Sequence, residues 1–143
     1  MAKEWTKTEA FAYFGATLTN VRLSWSARTP DGKMVILALW SDRFSRRKNP
    51  VEYEEVLGDR SPVWIARPGN RERSANLIWA RDHCAGVFRV VMARAKDTSA
   101  EPREIDDCFP KDDLFMRMTY LNEATGQFGA MVTEEPMTET TAM

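Results

Sequence analysis

Residues 21–40 constrain the fold more than any other stretch of the chain. Val21, Leu23, Trp25 and Ala27 alternate with Arg22, Ser24, Ser26 and Arg28, the period-2 pattern of a strand with one wet face. Thr29, Pro30, Asp31 and Gly32 follow; proline presets φ and glycine accepts a positive φ, so this is a turn. Residues 34–40 are then apolar throughout, as in a strand covered on both faces. The expectation is an antiparallel hairpin with Trp25 facing inward and Arg22 outward.

The remaining elements are read in the same way. Thr6 and Glu9 have capping-box spacing ahead of Ala10, Phe11 and Phe14, which predicts a short N-terminal helix. Residues 51–57, after Pro50, suggest a second short helix, and residues 63–66 a brief strand. Residues 76–84 admit two readings: a helix capped at Asn70, or a strand turning through Gly86. Their apolar positions hold no clean 3.6 period and Gly86 suits a hairpin loop, which favours the strand. Residues 87–95 are β-branched and strand-like, and residues 97–113 read as a linking segment with a short strand around Ile105. Residues 114–121 and 127–132 form a last hairpin. Six or seven strands with two or three short helices make an α+β, strand-rich fold: a strongly curved, mostly antiparallel sheet or a small β-barrel. One domain over residues 1–132 is expected, with a mobile C-terminal tail over residues 133–143, where apolar residues are few.

At 143 residues the chain has the size of a single domain. Its longest apolar run, residues 34–40, is far short of the roughly 20 residues of a membrane span. The N-terminus lacks the apolar stretch of an export signal, so a cytoplasmic location follows, with Cys84 and Cys108 as reduced thiols. Two cysteines and one histidine fall short of the four ligands of a structural zinc site, and there is no glycine-rich dinucleotide loop. Neither a metal nor a cofactor is expected. Glu104, Asp106, Asp107, Asp112 and Asp113 are the residue types that hold magnesium in nucleases, but such sites also place a lysine beside the metals, and the one Asp-x-Lys tripeptide, Asp31 to Lys33, sits at the hairpin turn and lacks the upstream acidic partner. Asp82, His83 and Cys84 hold the groups of an activated thiol; adjacent side chains of a strand diverge, so a surface turn is the simpler reading. No catalytic residue is assigned.

Charge carries the functional expectation. Residues 1–96 hold 17 Lys and Arg against 10 Asp and Glu, whereas residues 97–143 hold 3 against 11. Fourteen of the basic residues are arginine, whose planar fork suits phosphate. Two loops concentrate them: Arg43, Arg46, Arg47 and Lys48 in one, Arg67, Arg71 and Arg73 in the other. Trp40 precedes the first and Trp64 the second. Clustered guanidinium groups bind phosphate backbones and aromatic faces bind unstacked bases, so these nine residues define a small non-enzymatic nucleic-acid-binding module. A plainer reading puts the tryptophans in the core and pairs the arginines with Glu52, Glu54, Glu55 and Glu72. The functional alternatives are a protein–protein module (an inhibitor or adaptor) acting through its charge-asymmetric surface, and a small metal-dependent nuclease or hydrolase.

Overall fold

The computed structural model describes residues 4–21, 23–55, 66–99 and 104–134. A first helix, α1 (Lys7–Tyr13), begins as its capping box requires: the Thr6 hydroxyl accepts from the Glu9 amide while the Glu9 carboxylate accepts from the Thr6 amide. The expected hairpin forms between β1 (Ser26–Arg28) and β2 (Val35–Trp40), with Ser26 opposite Leu37 and Arg28 opposite Val35. It is shorter than the alternation implies. The Asn20 carbonyl and side chain accept from the Leu23 and Ser24 amides, closing a turn that competes with strand pairing. Val21 and Leu23 therefore lie in a turn, and Trp25 meets the ladder through its carbonyl, which accepts from the Ala38 amide. Trp25 is half-buried; Arg22 lies outside the described residues.

A 3-10 turn (Ser41–Arg43) leads into β3 (Phe44–Ser45), which pairs with β4 (Glu52–Glu55). Residues 52–55 are thus a strand, not the helix their sequence suggests. Tyr53 and Glu55 point inward and Glu54 outward, the period-2 alternation of a strand. The strand expected over residues 63–66 falls, Ala66 apart, outside the described residues.

The larger correction is α2 (Pro68–His83), where the sequence favoured a basic loop followed by a strand. Its buried positions are Gly69, Asn70, Arg73, Asn76, Leu77 and Ala80. The spacing is helical, but half of the stripe is polar, so apolar periodicity alone does not reveal it. The polar members each bond across to another element: Asn76 donates to the Ser26 hydroxyl at 2.7 Å, Asn70 to the Thr125 carbonyl at 2.9 Å and Arg73 to the Glu55 carboxylate at 3.4 Å. At the far end Trp79 donates to the Gly32 carbonyl at 2.7 Å. Gly32 has φ +71, and a Cβ there would come within 2.9 Å of the Trp79 ring, so both the turn and the helix contact require glycine.

β5 (Val87–Ala95) runs parallel to β2 and antiparallel to β6 (Ile105–Leu121), and β6 pairs with β7 (Phe128–Thr133). Most of the expected linking segment 97–113 is therefore the first half of one long strand. Its polar composition follows from exposure, and it breaks step with β5 where the interval Arg89 to Val91 faces the longer interval Phe115 to Pro110. The Arg89 guanidinium fills that break, donating to the carbonyls of Leu114 and Asp112, and the Tyr13 hydroxyl donates to the Asp112 carboxylate. Thr133, expected to open the tail, ends β7; residues 135–143 lie outside the described residues.

The result is an α+β fold with one mixed seven-stranded sheet in the order β1-β2-β5-β6-β7-β4-β3. Among the described residues the sheet is open, with β1 and β3 at its edges, and does not close into the small barrel. One face, with Val35, Leu37, Leu39, Phe88, Val90, Met116 and Phe128, packs on Leu77 and Ala80 of α2. The other, with Ile36, Val91, Ala93 and Cys108, packs on Ala10 and Phe11 of α1. No helix among the described residues is long and apolar enough to cross a membrane. Leu77 is fully buried and is the main apolar bond between α2 and the sheet. Leu77→Ala is expected to lower the unfolding free energy by about 2–5 kcal/mol, read from urea denaturation followed by circular dichroism.

Candidate functional site

The two basic segments meet at one carboxylate. Glu55, on β4, is 2% exposed, and isolated burial of its charge would be prohibitive. Three donors compensate. The Tyr53 hydroxyl donates to Oε1 at 2.9 Å, Arg73 of α2 reaches the same oxygen at 3.4 Å, and Arg43 of the 3-10 turn pairs with Oε2. Arg73 is itself 3% exposed, its guanidinium lying over the Trp25 ring at 4.9 Å and the Phe128 ring at 5.0 Å. Tyr53 closes the network by accepting from the Trp40 amide at 3.4 Å. One acid thus ties together the end of β2, the 3-10 turn, β4 and α2.

The nine expected contact residues separate into groups. Arg43 and Arg73 are internal ties to Glu55. Arg46, Arg47 and Lys48 are exposed in the β3–β4 turn, where Lys48 pairs with Glu52 at 3.1 Å and Arg46 lies 5.9 Å from the Phe44 ring. Arg71 is exposed on the first turn of α2, and Arg67 is its half-buried N-cap residue. Arg47 and Arg71 make no ion pair among the described residues. Trp40 is half-buried and packs against the α1-side core, so its side chain leaves the sheet on the face opposite Arg73. Trp64 lies outside the described residues. Trp25, which the sequence assigned only to the interior, meets the Arg73 guanidinium, as Phe128 does. Its proximity to Arg73 is a tertiary contact with no local sequence signal.

The other chemical candidates resolve into structural roles. In the acidic run, Asp112 accepts from Tyr13 at 2.8 Å, Asp113 pairs with Lys111 at 2.9 Å, and Asp107 and Glu104 lie 3.6 Å from Arg94 and Lys96. No group of three potential ligands gathers for a metal ion among the described residues. Cys84 and Cys108 are free thiols; burial raises the pKa of both, the opposite of nucleophile activation. His83 lies against Trp79 with ring centroids 3.9 Å apart and the planes tilted by 35°; its place is the exposed last turn of α2.

Two expectations follow from the Glu55 network. Glu55→Gln leaves the buried Arg73 and the half-buried Arg43 guanidinium groups facing a neutral amide, and the unfolding free energy is expected to drop by about 3–5 kcal/mol in urea denaturation. Burial, and then the charge of Glu55, hold the Tyr53 phenol well above its ordinary pKa. A phenol that keeps its proton longer in the folded chain contributes stability fully below the unfolded value near pH 10 and loses it as pH rises beyond. Melting temperature should fall above about pH 10, and more steeply than in Tyr53→Phe. Against known proteins, the chain matches no family model, no curated protein and no solved structure.

Proposed function

We propose that the chain is a small, non-enzymatic nucleic-acid-binding module of the cytoplasm that holds phosphate backbones on the exposed cations of its two basic segments. The observation that carries this reading is the shared carboxylate: Arg43 and Arg73, one from each segment, bond to Glu55. The segments are neighbours in space although the sequence separates them. Arg46, Arg47 and Lys48 on one and Arg71 on the other remain at the surface, where guanidinium and ammonium groups release counterions on meeting phosphates.

Strong curvature of the sheet belongs to the same proposal. β2 and β3 stand second and seventh in the strand order, about 24 Å apart if the sheet were flat. The 3-10 turn between them has three residues, and a link of that length spans at most about 14 Å. The bond between Tyr53 on β4 and the Trp40 amide at the end of β2 supports the same bending. A sheet rolled in this way gathers the β3–β4 turn and the start of α2 around one end.

The acidic third of the chain offsets part of the cationic surface that this reading uses, since Asp107 faces Arg94, Glu104 faces Lys96 and Glu123 faces Arg81; the competing reading is a protein partner. Salt dependence separates the two. Fluorescence anisotropy with short labelled oligonucleotides is expected to show affinity falling with salt at a log–log slope of about −3 to −4, for about four phosphates neutralised. The triple change Arg46→Ala, Arg47→Ala and Arg71→Ala should flatten that slope by about 2–3 units and weaken all sequences alike, since phosphate contacts position without specifying. Arg73 is left out because its loss unfolds the Glu55 network rather than testing the surface. Failure of every oligonucleotide to bind more tightly than about 100 μM at low salt overturns the reading in favour of a protein partner.

A further inference from the structure

β7 ends beside the cations of the β3–β4 turn. Met131 stands opposite Glu52, and the Val132 amide donates to the Val51 carbonyl at 2.9 Å. Two residues further on, the chain leaves the sheet at Glu134, which is exposed. It has a neighbour on each side there. On one side β6, with Phe115 opposite Thr133, runs back into Asp113 and Asp112, where Lys111 is already held by Asp113 at 2.9 Å. On the other side β4 runs back into Lys48, Arg47 and Arg46. Adjacent strands are about 4.8 Å apart, so a carboxylate leaving β7 at this point stands between like charge and opposite charge. Only the second attracts it. Glu135 and Glu139 repeat the charge, and no Lys or Arg follows Arg117 in the sequence. Residues 135–143 lie outside the described residues; six extended residues span about 20 Å, so the turn is within reach of all three acids.

From this arrangement, and resting on the nucleic-acid reading above, we infer that residues 134–143 are an acidic shield whose carboxylates occupy Arg46 and Arg47 until phosphates displace them. Lys48 already pairs with Glu52 at the base of the turn, at 3.1 Å, which leaves the two arginines as the takers. Exposed ion pairs are individually weak. Tethering compensates, because a short linker holds the acids at an effective concentration in the millimolar range. A single anion in solution does not match that. A polyanion that engages both basic segments at once does, so the shield selects for extended phosphate backbones over isolated phosphates.

The test keeps the full chain and compares wild type with the triple variant Glu134→Gln, Glu135→Gln, Glu139→Gln. A control makes the same change of charge elsewhere on the surface, by Glu4→Gln, Asp82→Asn and Glu123→Gln, all at exposed positions. One readout is anisotropy with a labelled single-stranded oligonucleotide. The other is the backbone amide signals of Arg46, Arg47 and Lys48 in nitrogen–proton NMR spectra without nucleic acid. The shield variant is expected to bind about tenfold more tightly at low salt, with those signals moved. The control should stay within about twofold of wild type, since remote exposed charges are screened, with the signals in place. Signals unmoved in the shield variant overturn the inference whatever the affinities. Equal tightening in both variants, or unchanged binding in both, also overturns it and leaves the proposed function standing. Moved signals with no oligonucleotide bound by any of the three proteins overturn the nucleic-acid reading and reduce the contact to an internal ion pair.

Discussion

The interaction on which the structure most depends is the burial of Glu55 against Arg43, Arg73 and Tyr53. An ion pair in a low-dielectric interior adds little net stability when compared with a well-packed apolar replacement, because both charges must leave water. Its consequence is positional. Each donor comes from a different segment, and a carboxylate that cannot remain unpaired obliges all of them to arrive together. The chain can satisfy Glu55 only by bringing the 3-10 turn and the start of α2 against β4. The buried polar stripe of α2 works in the same sense, with Asn70, Arg73 and Asn76 each fixed by a partner outside the helix.

Around this polar tie the apolar cores divide by sheet face. On β2, Val35, Leu37 and Leu39 turn to α2 while Ile36 turns to α1, so the run 34–40 is apolar because both faces are covered. The break between β5 and β6 lies at the edge of the α1 face. There Arg89 sits between the Phe14 and Phe115 rings at 4.8 and 4.0 Å and bonds the displaced carbonyls. Asp112, one of a run that looks metal-binding in sequence, thus serves with Tyr13 and Arg89 to hold the irregular part of a long strand.

Placing the basic residues in space changes their meaning. As a linear pattern, Arg43, Arg46, Arg47 and Lys48 are equivalent, as are Arg67, Arg71 and Arg73. Folded, Arg43 and Arg73 are internal and the others face outward or cap a helix. The internal pair positions the external set, which is why the proposed interface is tested by changing the surface cations and its scaffold by changing Glu55.

Local chemistry was enough to read the capped first helix, the hairpin joined by Pro30, Asp31 and Gly32, the strand 87–95 and the last hairpin, because each is specified by neighbours in sequence: a cap, a turn residue, or a period that matches the element. The elements that misled are those whose stabilising partners are distant. Residues 52–55 are a strand because Glu55 finds Arg43 and Arg73, and α2 is a helix whose buried stripe finds Ser26, Thr125 and Glu55; polar residues at core positions carry no apolar period to be read. The alternation through residues 21–24 was a true pattern with the wrong cause, since Asn20 turns the chain before pairing begins. The sequence by itself determined which segments carry charge, turns and apolar faces. Only the tertiary structure decided that two basic segments share one acid, because the cost of burying that charge is settled by partners far along the chain.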